Sequence, residues 1–156
     1  LATAAETSLP DGQRLHRGGT YLCMEGPAFS TRAESELYRS WGCDVIGMTN
    51  HTEARLAREA EIAYASLSMV TDFDCWHTDH DAVSVEMVIA NLQANAAATG
   101  PILQGLMQAL AASRPLSPAH TALADALMTR PESVPATTRQ ALDLFTSPYW
   151  GAFNAD

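Results

Sequence analysis

The chain has 156 residues, 47% of them hydrophobic, enough for one domain with a real core. Its formal net charge is −9, and its nine basic residues are all arginines without a stripe, which argues against nucleic acid or an anionic membrane as the main partner. Cys23, Cys43 and Cys75 are odd in number, far apart and without paired spacing, so they read as reduced thiols of a cytoplasmic protein rather than a disulfide framework or a zinc site.

Residues 1–18 read as a helix end and a polar loop, with Pro10-Asp11-Gly12 as a turn. Leu, not Met, stands first, and Leu1-Ala2-Thr3-Ala4-Ala5-Glu6 reads as a helix already under way; the expectation is a fragment, a processed chain or a nicked product. Residues 19–25 predict a strand, broken by Gly26-Pro27. Thr31 with Glu34 forms a capping box for a helix that reaches Trp41 and stops at Gly42. Residues 44–48 predict a short strand, after which Thr49 or Thr52 caps a helix through Ala60. The apolar, β-branched run 62–70 predicts the next strand. The polar stretch 77–81 leads into a helix over 84–98 with Val85, Val88, Ile89 and Leu92 on one face. Gly100-Pro101 is expected to end it, with another helix following to residue 112. Beyond Ser113, Pro115, Pro118, Pro131 and Pro135 punctuate two short helices, 119–129 and 136–145. The alternation of strands and helices argues for an α/β layer over residues 1–112, with 113–156 as a helical tail of the same domain. No uninterrupted apolar run is long enough to span a bilayer.

Three candidate sites fall at the carboxyl ends of predicted strands, where an α/β sheet presents its ligand crevice. In the first, 25–30, Phe29 can stack on a flat heterocycle or staple the helix it precedes, and Ser30 offers a hydroxyl or an N-cap. In the second, Met48 can cover a sugar face and Thr49 can address an anion at a helix N-terminus; cap plus core explains both equally. The third, Thr71-Asp72-Phe73-Asp74-Cys75-Trp76, places two carboxylates two residues apart. Along an extended chain, Asp72 and Asp74 would point the same way. Together they suit a nitrogen heterocycle that is protonated as it leaves and carries an exocyclic amino group; two solvated aspartates in a surface turn are the plainer reading. His77, Asp79, His80 and Asp81 suggest a metal, but no second ligand set accompanies them, and solvated loop residues are the commoner case.

The segment Glu25-Gly26-Pro27-Ala28-Phe29-Ser30-Thr31-Arg32-Ala33-Glu34-Ser35 resembles the Glu-Gly-Pro-x-Phe-Ser-[Ser/Thr]-Arg-Ala-Glu-Ser signature of methylthioadenosine phosphorylases, within the trimeric purine nucleoside phosphorylase family. Met48-Thr49, the 71–76 segment and Ala82-Val83-Ser84-Val85 match that family in order and spacing. The resemblance covers residues 18–105 and implies a three-layer mixed sheet with flanking helices, of which this chain would be the C-terminal part. It implies reversible phosphorolysis of S-methyl-5′-thioadenosine to adenine and 5-methylthioribose 1-phosphate, in purine and methionine salvage. Phe29 and Ser30 would lie at the purine, Met48 at the ribose, and Thr49 at phosphate and ribose. Asp72 would hydrogen-bond or protonate purine N7 as the catalytic group, and Asp74 would accept from the 6-amino group. Val85, Val88 and Ile89 would line the 5′-methylthio pocket.

Phosphate would be a co-substrate, with no metal or organic cofactor. The family's main phosphate-binding segments lie in an N-terminal half and have no counterpart in this sequence; Ala28 also stands where many relatives carry a longer polar residue. The expected partners are therefore the N-terminal portion as a separate chain and further copies of the complete unit in a homotrimer. The alternatives are a phosphorylase of another purine nucleoside such as methylthioinosine, a hydrolase, or a non-catalytic nucleoside-binding subunit.

Overall fold

The computed structural model of the chain describes residues 1–77 and 85–153. They form two units, one of residues 1–51 and 65–115, the other of residues 52–64 with those from 116 onward. Residues 52–64 thus group with the tail.

The first unit is built on a β-α-β element. Strand β1 (Tyr21–Cys23) pairs in parallel with β2 (Val45–Gly47), Leu22 opposite Ile46. Parallel neighbours need a crossover, and helix α2 (Arg32–Ser40) supplies it. The predicted capping box is present: the Glu34 N–H donates to Thr31 Oγ1 at 3.3 Å, and the Thr31 N–H donates to Glu34 Oε2 at 2.7 Å. Gly42, at φ 77°, turns the chain out of α2 into β2. At Gly47 a Cβ would overlap the Tyr21 hydroxyl, so only glycine lets that ring cross the pair.

Helix α1 (Ala2–Ser8) lies on helix α4 (Val85–Ala112). Ala5, Ala98 and Ile102 form the buried centre, and Leu1, Leu9, Leu15 and Leu67 pack against it. Small residues on both helices allow this close approach. The expected break at Gly100-Pro101 does not occur: α4 runs through Pro101. The missing Pro101 N–H costs a helical hydrogen bond, but Ala98 and Ile102, on either side, are the residues buried against α1. Packing overrides the local breaker.

Residues 62–70 are not a strand. A strand needs a neighbour's ladder, and among the described residues β1 and β2 pair only with each other. The end of this segment is held by side chains instead. Asn95 Nδ2 donates to the Val70 carbonyl at 2.9 Å, and Asn91 Nδ2 to the Thr71 carbonyl at 2.6 Å.

The second unit carries most of helix α3 (Asn50–Glu59) and helix α5 (Ala136–Trp150), which extends past the expected end at 145. The helix expected over 119–129 is instead a 3₁₀ turn, Pro118–Thr121, continued by tight turns. Ser117 Oγ takes the Ala119 N–H, and the Leu123 N–H goes to Glu61 Oε1 at 2.9 Å rather than to an upstream carbonyl. Tyr149 on α5 donates to the same Glu61 oxygen at 2.5 Å. No described helix is long and apolar enough to cross a membrane.

Two outcomes are expected. Thr31→Ala removes the cap of α2 and lowers stability by about 1 kcal/mol in denaturant titration. The Tyr149 hydroxyl, then the Leu123 N–H, hold the Glu61 carboxyl below its ordinary value of 4.5, so their contribution is complete above that pH and is lost as pH falls through the lower folded value. The same hydrogen bond raises the Tyr149 phenol above 10.0, so its share is complete below that pH and is lost as pH rises through the raised value. Protection of the Leu123 amide from hydrogen exchange should therefore be greatest between these limits, and Tyr149→Phe should weaken it most within that window and little beyond it.

Candidate functional site

The loops that follow β1 and β2 meet at the carboxyl ends of the strands. The Met24 N–H donates to the Gly47 carbonyl at 2.8 Å and carries the pairing one residue further. The chain then turns at Gly26, φ 70°, where a Cβ would overlap Met48 Cε. Met48, the first residue beyond β2, thus lies against the loop beyond β1. Ser30, in that loop, directs its hydroxyl at Met24 Sδ, 3.8 Å away.

The third loop joins this edge through Cys75, whose thiol points at the Ser30 carbonyl at 3.7 Å. Asp74 sits at φ 61°, a left-handed conformation that aspartate tolerates. Its N–H donates to Asp72 Oδ1 at 2.9 Å, and Thr71 Oγ1 donates to Asp72 Oδ2 at 2.8 Å. The segment is therefore a turn closed by an aspartate, not the extended chain whose alternation would aim both carboxylates the same way. Asp74 Oδ2 instead accepts from Ser35 Oγ of α2 at 2.5 Å, and the Cys75 sulfur is 3.5 Å from the same hydroxyl. One turn further along α2, the Arg39 guanidinium stacks 3.6 Å from the centre of the Trp76 ring. Phe73, Trp76 and His77 pack edge on and tilted behind it.

Ser30, Met48, Asp72 and Asp74 are accordingly linked through their loops. Phe29 is 86% exposed on the first loop, which does not fit a staple on α2. Thr49 is exposed and immediately precedes the first residue of α3. Val85, Val88 and Ile89 occupy the first turns of α4, with Val88 half-buried and the other two exposed. The Asn91 bond to Thr71 ties that end of α4 to the aspartate loop. Of the residues considered for a metal, His77 packs among the aromatic rings, while Asp79, His80 and Asp81 lie outside the described residues, as do Ala82, Val83 and Ser84.

Ser35, Arg39, Asn91 and Asn95 were not among the residues that sequence reasoning marks. A signal existed for both pairs: each is spaced four residues apart, so each shares one helix face.

Residues 1–108 match the phosphorylase superfamily, and the chain belongs to it. Its similarity to particular members is high. It is 60% identical over 154 residues to S-methyl-5′-thioadenosine phosphorylase of Prochlorococcus marinus, covering 99% of this chain and 49% of that one. It is 57% identical over 136 residues to the protein of the same name in Gloeobacter violaceus, covering 87% of this chain and 46% of that one. The crystal structure of a methylthioadenosine phosphorylase from an Antarctic soil metagenomic library aligns with a TM-score of 0.85 at 48% identity, over 92% of this chain and 50% of that one. Methylthioadenosine phosphorylase from Schistosoma mansoni, in complex with adenine, aligns with a TM-score of 0.62 at 33% identity, over 74% of this chain and 41% of that one. The chain spans about half the length of the curated relatives it matches. The α/β fold expected from the sequence is that of the superfamily; the described sheet is a parallel pair of strands.

Gly26→Ala tests the junction of the first two loops. It adds left-handed strain of about 1–2 kcal/mol and also displaces Met48. Gly12→Ala, at φ 86° with nothing within 4 Å of a Cβ, adds strain alone. Thermal unfolding should show the larger loss for Gly26→Ala.

Proposed function

We propose that this chain supplies the base, ribose and methylthio contacts of an S-methyl-5′-thioadenosine phosphorylase. The observation that carries the reading is the gathering of the 71–76 turn, with both carboxylates, against Ser35 of α2 and the loop that follows β1, which itself meets Met48 beyond β2. The high identity to proteins of that name supports it.

In the proposed reaction a phosphate oxygen forms a bond to the anomeric carbon as the bond from that carbon to purine N9 breaks. The electron pair goes to the purine, and Asp72 hydrogen-bonds or protonates N7 to ease its departure. Asp74 accepts from the 6-amino group through Oδ1, which accepts nothing else among the described residues. Phe29 and Ser30 flank the base, and Met48 covers the ribose. The apolar Val85, Val88 and Ile89 receive the thioether, which suits them better than a hydroxyl would. Thr49, beside the N-terminus of α3, contributes to the phosphate site. The rest of that site belongs to an N-terminal portion of the enzyme, and the complete unit works as a cytoplasmic homotrimer without metal or organic cofactor. Exposed apolar side chains such as Leu116, Met128 and Leu144 are consistent with surfaces that other chains cover.

A phosphorylase of 6-oxopurine nucleosides such as methylthioinosine is the second reading. The Asp74 side chain argues against it, because a carboxylate anchored by the Ser35 hydroxyl is an acceptor and suits an amino group better than a carbonyl.

The test is adenine release from S-methyl-5′-thioadenosine by the complete enzyme, with and without phosphate. Phosphate-dependent release is expected, and Asp72→Asn should lower kcat by about 10²–10⁴-fold, the usual worth of general-acid help. Release without phosphate would make the protein a hydrolase. Purine binding with no release would leave it a binding subunit.

A further inference from the structure

Ser35 is 2% exposed, and its hydroxyl leaves its own helix to reach a carboxylate in another loop. The other buried polar side chain among the described residues, Thr146, bonds only to the Leu142 carbonyl one turn back in α5. We propose that Ser35 is a positioning residue that makes the site prefer a 6-aminopurine over a 6-oxopurine, acting through Asp74; this rests on the function proposed above.

A serine hydroxyl has one proton to give. Here it goes to Asp74 Oδ2 at 2.5 Å, a bond strengthened by the carboxylate's charge. This fixes the rotation of the carboxylate and leaves Oδ1 as the oxygen that can meet a ligand. An anchored carboxylate is a pure acceptor. It matches the N–H of a 6-amino group and meets a 6-oxo group lone pair to lone pair. Without the hydroxyl, the Asp74 carboxylate can turn and no longer holds one oxygen toward the 6-amino group. The discrimination then falls while the loop stays in place, because the loop has other anchors. Arg39 stacks on Trp76, Asn91 holds the Thr71 carbonyl, and Asn95 holds the Val70 carbonyl. The Asp74 N–H bond to Asp72 is also independent of Ser35.

The experiment measures binding of adenine and of hypoxanthine by calorimetry, which needs no turnover, on the complete enzyme and its Ser35→Ala, Ser35→Thr and Ser35→Cys variants. Ser35→Ala should weaken adenine about 10-fold, the worth of one hydrogen bond to a charged group, and leave hypoxanthine unchanged or tighter. Ser35→Thr, which keeps the hydroxyl, should retain the preference. Ser35→Cys, which fills the space with a poor donor, should behave like Ser35→Ala. Equal weakening of both purines in Ser35→Ala, or a normal preference in Ser35→Cys, would overturn the proposal and leave Ser35 a packing residue. A native enzyme that binds neither purine would instead overturn the functional reading, and this proposal with it.

Discussion

The left-handed backbone at Asp74 is the constraint on which the site turns. With φ at 61°, the chain folds back so that the Asp74 N–H meets Asp72 and the Asp74 carboxylate meets Ser35. Most side chains resist that conformation, and aspartate is among the few that visit it. The residue that suits the proposed chemistry thus also suits the turn. The two acids are in different environments as a result. Asp72 takes a backbone N–H and a hydroxyl from its own turn, whereas Asp74 takes a hydroxyl from a neighbouring helix. Two carboxylates so differently held are placed for two different tasks.

Helix α2 transmits order to this turn. Its N-terminus is fixed by the reciprocal bonds of Thr31 and Glu34, and it is the crossover between the paired strands β1 and β2. Ser35 and Arg39, one turn apart, then face the aspartate loop with a hydrogen bond and a stacked cation. On the other side, Asn91 and Asn95 repeat the same spacing on α4 and hold the carbonyls just ahead of Asp72. The loop has no ladder of its own, and these two helix faces stand in for one. Placing functional side chains on a loop while rigid elements fix its backbone is a common division of labour.

Much of this was legible in the sequence where the signal was local. The capping box, the Gly42 stop, β1 and β2 depend on a few adjacent residues, and each lies where the pattern put it. The meeting of 25–30 with 48–49 was legible too, because strand ends share an edge once the strands are parallel; 71–76 joins them through Cys75 and Ser35 rather than from the end of a strand. What failed depended on distant partners. The run 62–70 has strand composition but no strand beside it among the described residues. Gly100-Pro101 has the composition of a helix end, yet it lies between residues buried against α1. The stretch 119–129 has helical composition, but the Leu123 N–H is claimed by Glu61. Ser35 was hidden because a serine in a capped helix looks ordinary until its hydroxyl is seen to leave the helix.

Pro101 interrupts the hydrogen-bond ladder of α4 without ending the helix. The Ala97 carbonyl lacks its usual donor, so one rung of the hydrogen-bond ladder is missing near the helix midpoint. On one side lie Asn91 and Asn95, which grip the aspartate loop; on the other lies Ile102, seated against α1. A missing rung interrupts the cooperativity by which one helical turn stiffens the next. Fraying that begins at Ala112 therefore loses its backbone route toward the loop, and the shared packing of Ala98 and Ile102 on α1 is what still couples the two halves.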